Sequence, residues 1–329
     1  DGHLAFPADF IAEGVDQTRG WFYTLHAIAT LVFDSVAYKN VVSNGLVLDK
    51  FGQKMSKRLG NAVDPFETLS KYGPDATRWY MITNAQPWDN LKFDESGITE
   101  AHRKFFGTWY NTYSFFALYA NIDGFDFESK TVEKRPEMDR WILSKLATLQ
   151  QLVMDRMNDF DPTPAARALE DFVDRDLSNW YVRLNRRRFW KGEMNEDKLS
   201  AYQTLHRVLS TLAQLASPFA PFFSDWMWQN LNGNQQSVHL THFPELSKQD
   251  FNGESTPQVT SHLSRVAPMS APMFGQFAFS KKQPRPVCRQ QQPRWRQQQQ
   301  RRLFPRHVRQ VGSARLAIQA LAAVWFSLH

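Results

Sequence analysis

Over the first sixty residues the apolar positions fall in short unbroken runs set between polar turns. Phe10-Ile11-Ala12 reads as a short strand, Gly14 to Gly20 as a polar turn, and Trp21 to Phe33 as an apolar helix. Val41 to Leu48, β-branched at its start, reads as a buried strand. Strand, helix and strand in that order predict a parallel sheet with its binding positions at the strands' carboxyl ends.

From Asn61 onward the pattern turns helical. Asp64 suits an N-cap with Pro65 at the first helical position, and the helix runs to Tyr72. Gly73-Pro74 breaks it and starts another through Ile82, and Asn90 to Phe93 forms a possible strand. Ser96 or Thr99 opens a long helix whose Trp109, Phe115, Phe116 and Tyr119 form an aromatic core ladder. Beyond Pro136, apolar positions Trp141, Leu143, Leu146, Leu149, Leu152 and Val153 mark a helix to Met157. A second starts near Pro164 with Val173, Leu177, Tyr181 and Leu184. A third spans Glu196 to Leu215, and a fourth Pro218 to Leu231. The fold class is therefore α/β followed by all-α, ending in a mostly antiparallel bundle. The expected divisions are 1–62, a connecting region 63–135, the bundle 136–252 and a tail 253–329.

Charge changes this picture only at the end of the chain. The net charge is +6, yet residues 1–254 hold all 33 acidic residues beside 27 Lys and Arg, a net of −6. Residues 255–329 hold 12 Lys and Arg and no acid. The basic balance belongs to the tail, so nucleic-acid binding by the body needs local patches rather than a global field. Residues 281–310 contain nine Gln, eight Arg and four Pro, a composition that builds no packed core and reads as disordered. Such a tail suits nonspecific RNA binding through charge, but the favoured reading is out-of-frame translation after about Leu246. Cys288 is the single cysteine, which excludes an internal disulfide and a multi-cysteine metal site. No apolar run is long enough for a membrane helix, and no signal peptide opens the chain. A start at Asp1 rather than Met reads as a fragment.

Two stretches carry candidate chemistry. Lys54-Met55-Ser56-Lys57-Arg58 lies in a loop bounded by Gly52 and Gly60. Two ammonium groups after a strand's carboxyl end suit a phosphate chain, each a flexible point charge where negative charge builds up. Taken by spacing alone, the same lysines suit a solvated loop. Glu13-Gly14-Val15-Asp16-Gln17-Thr18-Arg19-Gly20-Trp21 packs carboxylates, an amide and a guanidinium into a strand-to-helix turn. By pattern alone it suits equally a capping turn with an ion pair. No G-x-G-x-x-G follows a strand, which disfavours a dehydrogenase.

As literal strings the two stretches resemble motifs of one family. Lys54 to Arg58 resembles the KMSKS signature of class I aminoacyl-tRNA synthetases. Arg58 replaces its final Ser, a departure shared with the eukaryote-like branch of the isoleucine enzymes. Asp16-Gln17-x-Arg19-Gly20-Trp21 resembles the DQ-x-RGW motif that marks those isoleucine enzymes. The resemblance covers about 1–246. It implies the carboxyl-terminal half of a Rossmann-like catalytic domain, a connecting segment and an anticodon-binding bundle. It also implies isoleucine, ATP with Mg²⁺, and isoleucine tRNA as partners of a cytoplasmic, monomeric enzyme.

Carried over by position, Lys54 and Lys57 hold the ATP phosphates and stabilise departing pyrophosphate, with Ser56 between them. Glu13, Gly14, Asp16, Gln17 and Gly45 line the aminoacyl-adenylate, the two glycines by letting main chain approach it closely. Trp21 walls the isoleucine side-chain pocket, and Arg19 braces the turn. Tyr72 to Arg78 resembles the family's brace of the lysine loop, with Asp75 and Arg78 structural. No HIGH-type sequence and no editing insertion is present, so the isolated chain is expected not to form adenylate. A ligase for valine, leucine or methionine, and a non-enzymatic tRNA-binding helical module, are the alternative readings.

Asn179 to Lys191 places Trp180, Tyr181, Phe189 and Trp190 among Arg183, Arg186, Arg187 and Arg188. Such a string suits base stacking with phosphate binding, and equally a helix carboxyl end where cations meet the macrodipole. Its resemblance to the family's anticodon-binding domain implies tRNA contact at Trp180, Arg183, Arg186 and Arg187.

Overall fold

The computed structural model describes residues 6–127, 132–233 and 236–244. The tail beyond Pro244, with Cys288 and the Gln/Arg-rich stretch, lies outside them. Strand β1 (Ile11–Gly14) and strand β2 (Val41–Asn44) pair in parallel, with Glu13 opposite Ser43 and Gly14 opposite Asn44. Helix α1 (Trp21–Phe33) joins them, as the apolar run requires.

The strand expected over 41–48 is broken. β2 ends at Asn44, and β3 (Val47–Leu48) pairs in parallel with β4 (Leu91–Lys92) instead. Gly45 sits at the break because the backbone of Asp89 and Asn90 passes there. A Cβ at Gly45 would lie 2.2 Å from the Asp89 carbonyl oxygen. Gly45 donates to the Pro87 carbonyl, and the Leu46 amide donates to Asn90 Oδ1.

Helix α2 (Pro65–Tyr72) begins as expected, with Asp64 Oδ1 accepting from the Phe66 and Glu67 amides. Gly73, at φ 85°, separates it from α3 (Pro74–Asn84). The next helix starts earlier than Ser96 or Thr99. Asp94 caps α4 (Glu95–Ala101) by accepting from the Ser96 amide. The helix runs on through a wider i→i+5 turn, His102–Phe106, into α5 (Gly107–Ile122). Gly97 lies against the Tyr80 ring, where a Cβ would come within 2.2 Å of it.

The bundle consists of α6 (Glu137–Asn158), α7 (Pro162–Asp171), α8 (Arg183–Trp190), α9 (Glu196–Ala216) and α10 (Pro221–Leu231). Helix α10 starts three residues later than expected. An i→i+5 stretch, Phe172–Val182, joins α7 to α8 without a break. Leu152 and Leu184, read as apolar core positions, are exposed.

One apolar core runs from Ala76 to Leu231, so the connecting region and the bundle pack as a single body. Trp79 of α3 stacks on Phe105 at 3.7 Å and meets Phe219 edge-on at 6.0 Å. Asp75 accepts from the Phe223 amide at 2.7 Å, capping α10 from another helix. Arg78 pairs with Asp75 at 3.0 Å and donates to the Phe219 carbonyl. Asp75 and Arg78 are therefore structural, as expected.

A second polar centre is fully buried. Asp139 accepts from Tyr181 Oη at 2.7 Å, from Ser200 Oγ at 2.6 Å and from both terminal nitrogens of Arg188 at 2.7 and 2.9 Å. This ties α6, α8 and α9 together through the kind of paired, fully bonded charge that an interior tolerates.

Candidate functional site

Both sequence-read turns follow carboxyl ends of parallel strands. After β1, residues Val15–Arg19 form a 3₁₀ turn into α1. Gln17 organises that turn. Its Oε1 accepts from the Trp21 amide at 3.0 Å, and its Nε2 donates to Asp16 Oδ2 at 2.9 Å. The first satisfies an orphan donor of α1. Glu13 is half-buried, Asp16 is exposed, and Trp21 keeps 48% of its surface exposed. One indole face is thus available as a wall. Among the described residues Arg19 makes no ion pair, so nothing there supports its bracing role.

Of the two glycines, only Gly45 takes a reason different from the one expected. Gly14 has φ −61° and ψ 156°, a conformation open to any residue. Gly45 makes room for the Asp89 carbonyl, so its close approach is to the protein's own backbone rather than to a ligand.

The lysine loop hangs on two residues that the motif reading passed over. Asp49, 9% exposed, accepts at Oδ1 from the Phe51 amide at 2.9 Å and the Gln53 amide at 2.8 Å. Asn61 donates from Nδ2 to Asp49 Oδ2 at 2.9 Å and to the Lys54 carbonyl at 3.3 Å. Its Oδ1 accepts from the Ser56 amide at 2.9 Å. Asn61's side chain, then the Gln53 amide, holds the Asp49 carboxyl below the usual carboxylate range. Lys54 bridges to Leu48, Ser56 Oγ accepts from the Arg58 amide, and Lys57–Leu59 closes with a short 3₁₀ turn. Met55 and Val63 pack against the helical core, which anchors the loop from below. Lys54 is exposed and makes no ion pair among the described residues.

A further signal lies at the end of β2. Asn44 is 3% exposed, and neither its Oδ1 nor its Nδ2 has a partner among the described residues; Ser43 Oγ is likewise buried and unpartnered. Buried polar atoms without partners carry a free-energy penalty of about 1–3 kcal/mol each. Placed opposite Glu13 and Gly14, they mark groups for a ligand or a further segment to satisfy. Nothing in the local string distinguishes Asn44 from a turn residue, so sequence reasoning passed it over. No group of three or more His, Cys, Asp or Glu is placed to hold a metal among the described residues.

In the bundle, Arg183, Arg186 and Arg187 are exposed, and Arg186 lies 5.9 Å from the centre of the Phe115 ring. Trp180 is half-buried against the core. Arg188 is drawn inward to Asp139 and also pairs with Asp197 at 2.9 Å.

A model of class I tRNA synthetases for isoleucine, leucine, methionine and valine matches residues 1–94, and one of the anticodon-binding domain of tRNA ligases matches 139–268. The second match passes Leu246, so the likeness extends further into the tail than the motifs implied. The isoleucine–tRNA ligase of Porphyromonas gingivalis is 62% identical over 270 residues, covering 81% of this chain and 24% of that protein. That of Thermus thermophilus is 50% identical over 247 residues, covering 73% and 24%. The chain thus spans about a quarter of the length of these curated relatives. Among solved structures, an Agrobacterium radiobacter LeuRS in a ternary complex with tRNA aligns with TM-score 0.60 at 20% identity, over 75% of this chain and 29% of that one. A Mycobacterium tuberculosis methionyl-tRNA synthetase with methionyl-adenylate aligns with TM-score 0.59 at 20% identity, over 71% and 47%. The parallel strands, the lysine loop and the helical bundle share their order and fold with these proteins, and the chain belongs to the class I aminoacyl-tRNA synthetases, on the branch of the isoleucine–tRNA ligases.

Proposed function

We propose that this chain carries half of the adenylate-forming site and the tRNA-binding bundle of an isoleucine–tRNA ligase. The longer protein activates isoleucine with ATP and then esterifies the terminal ribose of isoleucine tRNA. The observation that carries this reading is the 62% identity to such a ligase across 270 residues, and the class I synthetase model that matches residues 1–94 spans both candidate turns.

In the first step an oxygen of the isoleucine carboxylate attacks the α-phosphorus of ATP. The bond to the bridging oxygen breaks, and pyrophosphate leaves. Charge grows on the phosphate oxygens, and Lys54 and Lys57 stabilise it as ammonium point charges, with no proton transferred. Asn61 holds the loop's backbone at Ser56, between the two lysines. Glu13, Asp16 and Gln17 bind the adenylate, and Asn44 supplies a buried amide beside Gly14. Trp21 packs on the isoleucine side chain. Mg²⁺ arrives with ATP, bound to its phosphates. Arg183, Arg186 and Arg187 hold tRNA phosphates.

The test is a chimera in which residues 1–244 replace their counterparts in the Porphyromonas gingivalis enzyme. Isoleucine should drive pyrophosphate exchange, whereas the 329-residue chain alone should show none. Exchange driven by valine, leucine or methionine in preference to isoleucine, or none from a folded chimera, would overturn the proposal.

A further inference from the structure

Trp190 is the large aromatic of the arginine-rich segment that the fold leaves open, with 60% of its surface exposed. Trp180, the tryptophan singled out from the sequence, packs against the core instead. Along α8, positions 183, 186, 187 and 190 are spaced i, i+3, i+4 and i+7, so they share one face. Asn185 and Phe189 point the other way and are buried.

That face is held rigidly. Phe189 is fully buried edge-on to Tyr202 at 5.2 Å and to Phe115 at 5.3 Å. Arg188 is fastened to Asp139 and Asp197. The turn after Trp190 is clamped by Lys198, which donates to the Gly192 carbonyl at 3.1 Å and pairs with Asp123 at 2.6 Å. Arg183, Arg186 and Arg187 make no ion pair among the described residues. Asp139 and Asp197 are taken up by Arg188. The result is a fixed, open indole bordered by unneutralised guanidinium groups at the carboxyl end of a helix.

From this juxtaposition we infer that Trp190 is a stacking platform for an unpaired nucleobase of RNA, with Arg183, Arg186 and Arg187 on the adjoining phosphates. The inference rests on the tRNA-binding reading above and assigns its stacking contact to a residue outside that reading. An unpaired base offers a π-face of the right size, and its flanking phosphates match the charge beside it. A pinned helix end loses little freedom when the base docks.

The test uses the full 329-residue chain and a labelled transcript of isoleucine tRNA, with binding followed by anisotropy at several salt concentrations. Trp190→Ala should weaken binding on the order of 10- to 100-fold and leave the salt dependence unchanged, because no charge is removed. Trp190→Phe should stay within about threefold of the parent, since any aromatic face can stack. Arg187→Ala should instead lower the salt slope by about 0.7–0.9. Trp180→Ala should leave the RNA contact in place while lowering thermal stability. If the parent binds and Trp190→Ala binds equally well, the stacking assignment is wrong while tRNA binding stands. If the parent itself does not bind the transcript, both fall. Equal weakening by Trp190→Ala toward polyglutamate would show a general polyanion contact and overturn the assignment to a base.

Discussion

Replacing Asn61 with Ala should unfasten the lysine loop without disturbing the helical body. Asn61 makes three hydrogen bonds there, to Asp49 at 2.9 Å, from the Ser56 amide at 2.9 Å and to the Lys54 carbonyl at 3.3 Å. A net hydrogen bond is worth about 0.5–1.5 kcal/mol, and the longest of the three falls at the weak end. Their sum, about 2–3 kcal/mol, corresponds to roughly 30- to 150-fold in the loop's opening equilibrium, at 1.4 kcal/mol per tenfold. Native-state hydrogen exchange reads this directly. In Asn61→Ala the Phe51, Gln53 and Ser56 amides should lose protection by about that factor, while amides in α6 and α9 keep theirs. The Asp49 titration midpoint, held low first by Asn61, should move up toward its ordinary value of 3.8. Asp49's contribution is present above pH 3.8 in the parent and is lost as pH falls through its lowered pKa. Unchanged protection at 51–56 would refute the hinge role of Asn61. A parallel loss in α6 and α9 would show global destabilisation instead.

Three further outcomes follow from the same structure. In the active chimera, Lys54→Ala and Lys57→Ala should each lower kcat for pyrophosphate exchange by about 10²–10³ with little change in KM for isoleucine; a rise in KM alone would point to ground-state binding. Asp139→Ala should cost about 3–5 kcal/mol in urea unfolding, because half-buried Arg188 keeps only Asp197 as its ion-pair partner and buried Tyr181 and Ser200 lose their acceptor. A loss below about 1 kcal/mol would mean that the network contributes specificity rather than stability. His206 is half-buried beside Phe127 and Phe125, and its Nε2 lies 3.1 Å from the Leu231 carbonyl, so that nitrogen carries the proton. Burial pushes its pKa below 6.5. Its stabilising contribution should be complete above pH 6.5 and shrink as pH falls below it, since the unfolded chain takes up the proton first. The slope of unfolding free energy between pH 5 and 7 should flatten in His206→Gln, and an unchanged slope would contradict this.

Local signals were legible where one or two neighbouring residues decide the structure. Asp64 with Pro65 and Gly73 with Pro74 set helix boundaries because caps and fixed dihedrals act within a turn. The break at Gly45 was not legible, since its cause is the Asp89 backbone 44 residues further on. Asp94 outcompeted Ser96 and Thr99 as a cap within one turn, a contest that pattern alone does not rank. Which tryptophan stays open was not legible for a geometric reason. The i→i+5 ladder over Phe172–Val182 rotates the helix against a 3.6-residue wheel, so Trp180 turns inward and Trp190 stays out. In the site, the lysines and the acid–amide turn stood out as strings. Asp49, Asn61 and Asn44 did not, because their roles exist only once strands and loop are folded together.

The most direct test of the central claim is a crystal structure of the chimera with a non-hydrolysable isoleucyl-adenylate analogue. The analogue should lie at the carboxyl ends of β1 and β2, with Glu13 and Gln17 within about 3 Å of its polar atoms. The Trp21 ring should lie against its side chain, and Lys54 should reach its phosphate side. An analogue seated away from the β1–β2 ends, or Glu13 and Lys54 on opposite sides of the sheet from it, would contradict the account.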